Sequence, residues 1–60
     1  MYAVKLTIQD ETKMRIFSEE DAQLAWAVFN RAWARCKRQL VPYLLDLWED
    51  DSLIKRVKWE

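Results

Sequence analysis

The sequence predicts a small α+β domain of ββαββ order, in which two β-hairpins form a four-stranded antiparallel sheet packed on one helix. Two observations support this fold class. Both ends of the chain alternate apolar and polar residues, which is the period of half-buried strands. The middle of the chain instead repeats apolar residues every three or four positions, which is the period of an amphipathic helix. Sixty residues suffice for one domain, and we assign all of 1–60 to it.

The first hairpin is predicted from residues 2–16. The apolar residues of its first strand share one side, namely Tyr2, Val4, Leu6 and Ile8. After a polar break at 10–12, the alternation resumes with Lys13, Met14, Arg15 and Ile16. Two alternating segments joined by a short polar break are typical of a hairpin that is solvated on one face.

A helix is predicted to begin after Ser18 and to end near Gln39. Ser18 is a favourable N-cap, and the acidic residues that follow it suit the positive end of the helix dipole. The apolar residues that fall within one core-facing arc are Ala22, Ala25, Trp26, Phe29, Ala32, Trp33, Cys36 and Leu40. Pro42 disfavours helical geometry at the residue before it and so ends the segment.

A second hairpin is predicted from two β-rich segments, 43–48 and 53–59, around an acidic turn. A three-residue loop would place one apolar set on the core face, consisting of Tyr43, Leu45, Leu47, Leu53, Val57 and Trp59. It would leave Leu44, Trp48 and Ile54 on the open face. A two-residue loop would instead group Leu44, Trp48, Leu53 and Val57 and would pair Asp46 with Lys55. We favour the three-residue loop because it buries more apolar surface.

The strand order follows from the connections. The helix returns the chain so that the third strand runs parallel to the second. Placing the third strand beside the first gives a fully antiparallel sheet in the order 2-1-3-4.

The composition excludes several kinds of site. Ten basic and ten acidic side chains cancel, so no net charge draws the chain to nucleic acid or to an anionic membrane. One cysteine and no histidine allow neither an internal disulfide nor the usual zinc ligands, and a chain without glycine has no glycine-dependent phosphate loop. We therefore expect no metal and no cofactor. The lone cysteine, the absence of a signal peptide and the short uncharged runs predict a cytoplasmic protein.

Catalysis is the least supported class of function. Cys36 lies on the predicted buried stripe and has no histidine to activate it, and Ser18 and Ser52 serve a cap and a turn. Solvated carboxylates at chain tips keep ordinary acidity, and a domain this small has little room for a substrate pocket. We therefore expect that the protein is not an enzyme.

Two distant acidic runs should meet at one end of the molecule. The predicted topology places the start of the helix and the tip of the second hairpin at the end opposite the first turn. The residues of this acidic pole are Glu19, Glu20, Asp21, Glu49, Asp50 and Asp51. Ordinary helix and turn chemistry explains each run separately. The functional hypothesis is that the pole imitates a phosphate track and occupies the nucleic-acid groove of a partner protein.

Apolar residues outside the predicted core form a second candidate surface. Leu24 and Val28 lie one helical turn apart beyond the core arc, and Leu44, Trp48 and Ile54 share the open face of the sheet in the favoured register. A domain of this size rarely gains more than about 3–5 kcal/mol from its core alone, so contact with a partner or with a second copy would add stability. We expect these five residues to contact a partner or to form a homodimer.

By elimination, the sequence predicts a small non-enzymatic protein-binding module. Compact, glycine-free, charge-segregated chains of this length resemble in general style the small accessory and inhibitor proteins of phages and mobile elements, such as anti-defence proteins. That resemblance implies an inhibitor acting in a host cytoplasm. One alternative is a nucleic-acid-binding module that uses Trp48 with the basic run Lys55, Arg56 and Lys58. The other is a homodimeric structural subunit.

Overall fold

The computed structural model describes residues 1–59 and has the predicted ββαββ order. Its elements are β1 (Tyr2–Ile8), β2 (Glu11–Phe17), α1 (Ala22–Cys36), β3 (Tyr43–Glu49) and β4 (Ser52–Trp59), with a 3₁₀ turn (Glu19–Asp21) before the helix. All neighbouring strands are antiparallel, and the sheet has the order β2-β1-β3-β4. The predicted fold class and strand order are therefore confirmed.

The core lies between α1 and one face of the sheet, here called the covered face. The helix packs chiefly on the two central strands, β3 and β1. The buried core residues of the helix and the sheet are Val4, Phe17, Ala25, Phe29, Cys36, Tyr43, Leu45 and Leu47. Phe29 has no exposed surface and meets Trp26 edge-on, with ring centroids 6.1 Å apart. Burying a phenylalanine side chain contributes roughly 1.5–3 kcal/mol, so Phe29 is a large part of a thin core.

The helix begins as predicted but without the expected side-chain cap. Ser18 is extended, and the chain becomes helical directly after it. The Ser18 hydroxyl donates to the Asp21 carboxylate at 3.1 Å, and its oxygen makes no capping bond with a backbone N–H. Within residues 1–59, no helix has both the length and the apolar content needed to cross a membrane.

The far end of the helix and its core stripe differ from the prediction. α1 ends at Cys36, and hydrogen-bonded turns continue the chain to Gln39. Leu40 then lies outside any helix and is 90% exposed, so its predicted place in the core is wrong. The buried stripe is also rotated. Val28 packs against the core, although the 100° count places it outside, whereas Trp26 is 36% exposed.

The second hairpin combines features of both predicted registers. Its loop has two residues, Asp50 and Asp51, so the favoured three-residue loop is wrong. Beyond the tip, Leu47 pairs with Lys55 while Trp48 pairs with Leu53, which leaves one extra residue, Ile54, as a β-bulge. The bulge changes the side on which β4 side chains lie.

The bulge decides which residues reach the core. After the bulge in the sequence, Val57 and Trp59 share the covered face with Tyr43 and Leu45, as the favoured register predicts. Between the loop and the bulge, Leu53 lies beside Trp48 on the opposite face, as the two-residue loop predicts. Asp46 is paired with Arg56, so the pairing of Asp46 with Lys55 is wrong.

The first hairpin forms as predicted, but most apolar residues of its two strands lie on opposite faces of the sheet. Its loop consists of Gln9 and Asp10. The β2 residues paired with Val4 and Leu6, and hence on the covered face, are Arg15 and Lys13. Two apolar residues of β2, Met14 (60% exposed) and Ile16 (57% exposed), lie on the opposite, open face. Only Phe17 of this strand joins the core.

Candidate functional site

The open face of the sheet carries rows of side chains that cross all four strands. The strand pairings place Ala3 opposite both Ile16 and Trp48, and place Trp48 opposite Leu53. These four residues, Ile16, Ala3, Trp48 and Leu53, are here called the apolar row. Side chains directly opposite each other on one face of antiparallel strands are in contact range. The row is therefore a continuous apolar strip.

The apolar row is not covered by any element within residues 1–59. Ile16 and Leu53 are 57% and 41% exposed, and Trp48 and Ala3 between them are half-buried by their neighbours. Met14 extends the strip, because it follows Ile16 along the open face of β2. The bulge residue Ile54, next to Leu53 in the chain, is 42% exposed. Tryptophan within a strip of this kind is characteristic of protein interfaces.

A buried carboxylate, paired with a half-exposed arginine, lies next to the apolar row. The Asp46 side chain is only 3% exposed, and the Arg56 guanidinium binds it through two bonds, from Nε to Oδ1 at 2.8 Å and from Nη2 to Oδ2 at 3.1 Å. This hydrogen bonding and the Asp46 charge raise the pKa of Arg56 above its ordinary value. Because a buried carboxylate requires a partner, the pair favours the register that brings Asp46 opposite Arg56.

The structure brings the two acidic runs together at one end. The Met1 amino group lies 3.1 Å from Asp50 Oδ1 and 3.5 Å from Glu19 Oε1, so it contacts the hairpin tip and the start of the helical segment at once. The backbone N–H of Asp50 also donates to the Met1 carbonyl at 2.7 Å. The Asp50 hydrogen bond is the main cause that raises the pKa of this amino group.

The other members of the acidic pole differ in their contacts. The Tyr2 hydroxyl donates to Glu49 Oε2 at 2.9 Å, and this bond raises the pKa of Tyr2. Asp21 accepts the Ser18 hydroxyl, whereas Glu20 and Asp51 are exposed. Among residues 1–59, no three acidic or cysteine side chains are grouped in a way that could hold a metal ion.

The acidic pole and the apolar row are neighbours. Trp48 directly precedes Glu49 at the end of β3, and Leu53 follows the acidic loop at the start of β4. The row therefore runs along the open face one residue away from the hairpin tip. An apolar strip with a charged border has the composition of a protein interface, in which an apolar centre is surrounded by a polar rim.

The remaining predicted contact residues are dispersed. Leu24 is 48% exposed on the helix, but Val28 is half-buried against the core, so the two do not form one open patch. Leu44 is half-buried on the open face two residues from Asp46. Of the five predicted contact residues, Trp48, Ile54 and Leu44 lie on the sheet and Leu24 and Val28 on the helix.

The basic run of the last strand does not form a single platform. Lys55 lies on the covered side, where its ammonium nitrogen is 4.7 Å from the centroid of the Trp33 ring. Arg56 and Lys58 pair with Asp46 and Leu44 and are on the open face, where Arg56 is bound to Asp46. The cation-rich surface that the nucleic-acid alternative requires beside Trp48 is therefore divided between two faces.

Cys36 is buried in the core, as the helical stripe predicts. Cys36 is 2% exposed, and burial raises the pKa of its thiol. A buried thiol that stays protonated at neutral pH is a weak nucleophile.

Sequence reasoning missed three members of the open-face strip, namely Ala3, Met14 and Ile16, and grouped Leu53 with Trp48 only in the two-residue-loop alternative. The available signal was the opposite phase of the apolar residues on the two strands of the first hairpin. With a two-residue loop, Met14 pairs with Lys5 and Ile16 with Ala3, so the apolar residues of β2 fall on the face that β1 leaves polar. The loop length was the missing information.

Comparison with protein-family models, with curated proteins and with solved structures gave no match.

Proposed function

We propose that this protein is a small non-enzymatic binding protein that docks its apolar row and the adjoining acidic pole on another protein. The observation that carries the proposal is the apolar row itself. It crosses all four strands on the face that the helix does not cover, with Ile16 and Leu53 exposed at its two ends. Exposed apolar strips of this kind mark interaction sites, since they gain free energy when a partner covers them.

The border of the row indicates the chemistry of the partner. Carboxylates of the acidic pole adjoin the row, so a complementary surface has an apolar cleft with a basic rim. Basic clefts of this kind occur in proteins that bind nucleic acids. Occupying such a cleft would make this chain a competitive inhibitor of nucleic-acid binding. The composition fits a cytoplasmic site of action, because it includes a single cysteine and no disulfide.

The proposal is tested by quantitative capture of proteins from a lysate of the native host, with variants matched to each part of the surface. Trp48→Ala removes the centre of the row, and Trp26→Ala is its control, because Trp26 is exposed on the helix. Asp50→Asn with Asp51→Asn removes two of the six carboxylates of the pole, and asparagine tolerates the left-handed backbone of Asp50. Its control neutralises the other hairpin, with Asp10→Asn and Glu11→Gln.

We expect one set of captured proteins, enriched in nucleic-acid-binding proteins, that is lost with Trp48→Ala and weakened by the Asp50 and Asp51 changes in a salt-dependent manner. The two control variants should retain it. Identical capture by all variants would contradict the proposal. Sedimentation of the free protein tests the remaining outcome, a homodimer. A dimer that Trp48→Ala dissociates would show that the row is covered by a second copy.

A further inference from the structure

A groove of about 420 Å³ lies between α1 and β2 on the covered side of the sheet. It exists because the helix packs chiefly on β3 and β1, and because β2 directs long charged side chains, not apolar ones, toward the helix. The sheet separates this groove from the apolar row. Whatever binds here is therefore independent of the proposed function.

The groove has an aliphatic floor and cationic walls. Its apolar lining is provided by Leu6, Ile8, Val28, Ala32 and Cys36. One wall carries Lys13 and Arg15 of β2, and the other carries Arg31 and Arg35, one turn apart on the helix. No acidic side chain is among its lining residues. The two pairs of cations thus stand on either side of an apolar channel.

The four cations are not neutralised by ion pairs within residues 1–59. In these residues, two cations form salt bridges. The amino group of Met1 contacts Glu19 and Asp50, and the Arg56 guanidinium contacts Asp46. Arg15 has an aromatic contact instead, with its guanidinium carbon 5.3 Å from the centroid of the Phe17 ring. Like charges gathered around a partly enclosed apolar channel repel one another and attract an anion, and the low-dielectric floor strengthens that attraction.

We propose that this groove binds an anionic amphiphile, a molecule with a phosphate or carboxylate head and an aliphatic body. The head would lie among the arginine and lysine side chains, because guanidinium groups bind such oxyanions through paired hydrogen bonds. The body would lie on the aliphatic floor. The lining contains no aromatic side chain on which a base could stack, so it is poorly suited to single-stranded nucleic acid.

The test titrates the protein with decyl phosphate below its critical micelle concentration, and follows the methyl resonances of Leu6, Ile8 and Val28 by NMR. Arg31→Gln with Arg35→Gln removes two charges from one wall. The matched control is Lys37→Gln with Arg38→Gln, which removes two charges from the same end of the helix outside the groove. Inorganic phosphate, decanol and a short oligothymidine are titrated in parallel.

We expect saturable shifts of the floor methyls with decyl phosphate. Affinity should rise roughly three- to fourfold for each methylene added in shorter homologues, until the floor is filled. The Arg31 and Arg35 changes should weaken binding by roughly ten- to a hundredfold, and the control by much less.

Four results would overturn the proposal. The first is an absence of saturable binding, and the second is equal weakening by both double variants, which would indicate general charge attraction. The third is binding of inorganic phosphate or decanol as tight as that of decyl phosphate, which would show that head and body are not both recognised. The fourth is tighter, groove-dependent binding of oligothymidine, which would assign the groove to nucleic acid.

Discussion

At the scale of single residues, one residue in each hairpin loop adopts a backbone conformation that glycine usually adopts. Gln9 has a φ of 56° and Asp50 a φ of 51°, and each is the first residue of its two-residue loop. The chain contains no glycine, so both loops place an ordinary L-residue in the left-handed region. This conformation costs roughly 1–2 kcal/mol for a residue with a Cβ atom.

Replacing Gln9 with glycine should therefore stabilise the domain. Relief of the left-handed strain exceeds the entropy that glycine loses on folding, and the expected gain is about 0.5–1 kcal/mol in the free energy of unfolding. Urea unfolding measures it. Gln23→Gly is a matched control, because Gln23 is exposed in α1 and glycine there should cost up to about 1 kcal/mol. Destabilisation by Gln9→Gly would contradict the assigned loop.

The bond between Tyr2 and Glu49 predicts a pH dependence. The Tyr2 hydroxyl donates to Glu49, so its pKa lies above the ordinary value of 10.0. Because the folded pKa is raised, the contribution to stability is complete below about pH 10 and is lost as the pH rises through the folded pKa. Glu49→Gln should lower the Tyr2 pKa toward 10, measured from the ring resonances of Tyr2. Glu11→Gln in the other hairpin should leave it unchanged, and an equal effect of both variants would exclude the bond as the cause.

At the scale of elements, β2 is the strand that departs from the ordinary pattern. Its apolar residues Met14 and Ile16 face away from the helix, while Lys13 and Arg15 face toward it. A strand that breaks the expected pattern of burial is a sign of function, since its residues are not used for packing. Here the same inversion places Met14 and Ile16 on the open face and supplies one of the two cationic walls of the groove, that of Lys13 and Arg15.

This inversion predicts that the two faces of β2 contribute very differently to stability. Met14→Thr with Ile16→Thr should change the free energy of unfolding by no more than about 1 kcal/mol, because both side chains are already exposed. Phe17→Ala on the same strand should cost about 3–5 kcal/mol, because Phe17 is buried. Thermal unfolding of the two variants measures the difference. A large loss with the double threonine variant would show that the open face is covered in the free protein.

The bulge in β4 predicts that one residue can be removed. Ile54 lacks a partner in β3, and its deletion would leave every other pair of the hairpin in place. We expect the deletion variant to fold and its unfolding free energy to change by about 1 kcal/mol or less, as measured by circular dichroism in urea. Deletion of Arg56 serves as control, since it removes the partner of Asp46 and shifts the register, and it should unfold the domain. Equal tolerance of both deletions would contradict the assigned register.

The elements could be predicted from the sequence, but their register could not. The alternation of β1, the stripe of α1 and the helix start after Ser18 each depend on local periodicity, which the sequence displays directly. The face of Leu53 depends on the loop length, and the faces of Val57 and Trp59 depend on both the loop length and the bulge at Ile54, because each of these reverses the side of the strand. One residue thus decides which face a whole segment presents, and composition does not contain that information.

The core stripe of the helix shows the same limit. Periodicity identified an apolar arc, but the edge of the arc depends on where the helix rests on the sheet. Because α1 lies on β3 and β1, Val28 turns toward the core and Trp26 toward solvent. The acidic pole could be anticipated, since it requires only strand order and direction, whereas the apolar row required the register of three strand pairs.

At the scale of the whole molecule, a neutral net charge conceals a division into separate surfaces. Carboxylates gather at one end, four cations line the groove beside the helix, and the apolar row occupies the open face. Within residues 1–59, the helix and the sheet bury one thin core between them, and no element covers the second face of the sheet. In the proposed function, this face is the binding surface of the protein.

The most direct test measures paramagnetic relaxation by a soluble agent at methyl groups of the free protein and of its complex with a captured partner. In the free protein, the methyls of Ile16, Leu53 and Leu24 should all relax strongly, because all three side chains are exposed. In the complex, relaxation should fall at Ile16 and Leu53 and stay unchanged at Leu24. Continued relaxation at Ile16 and Leu53, with protection at Leu24 instead, would contradict the claim and would place the binding surface on the helix.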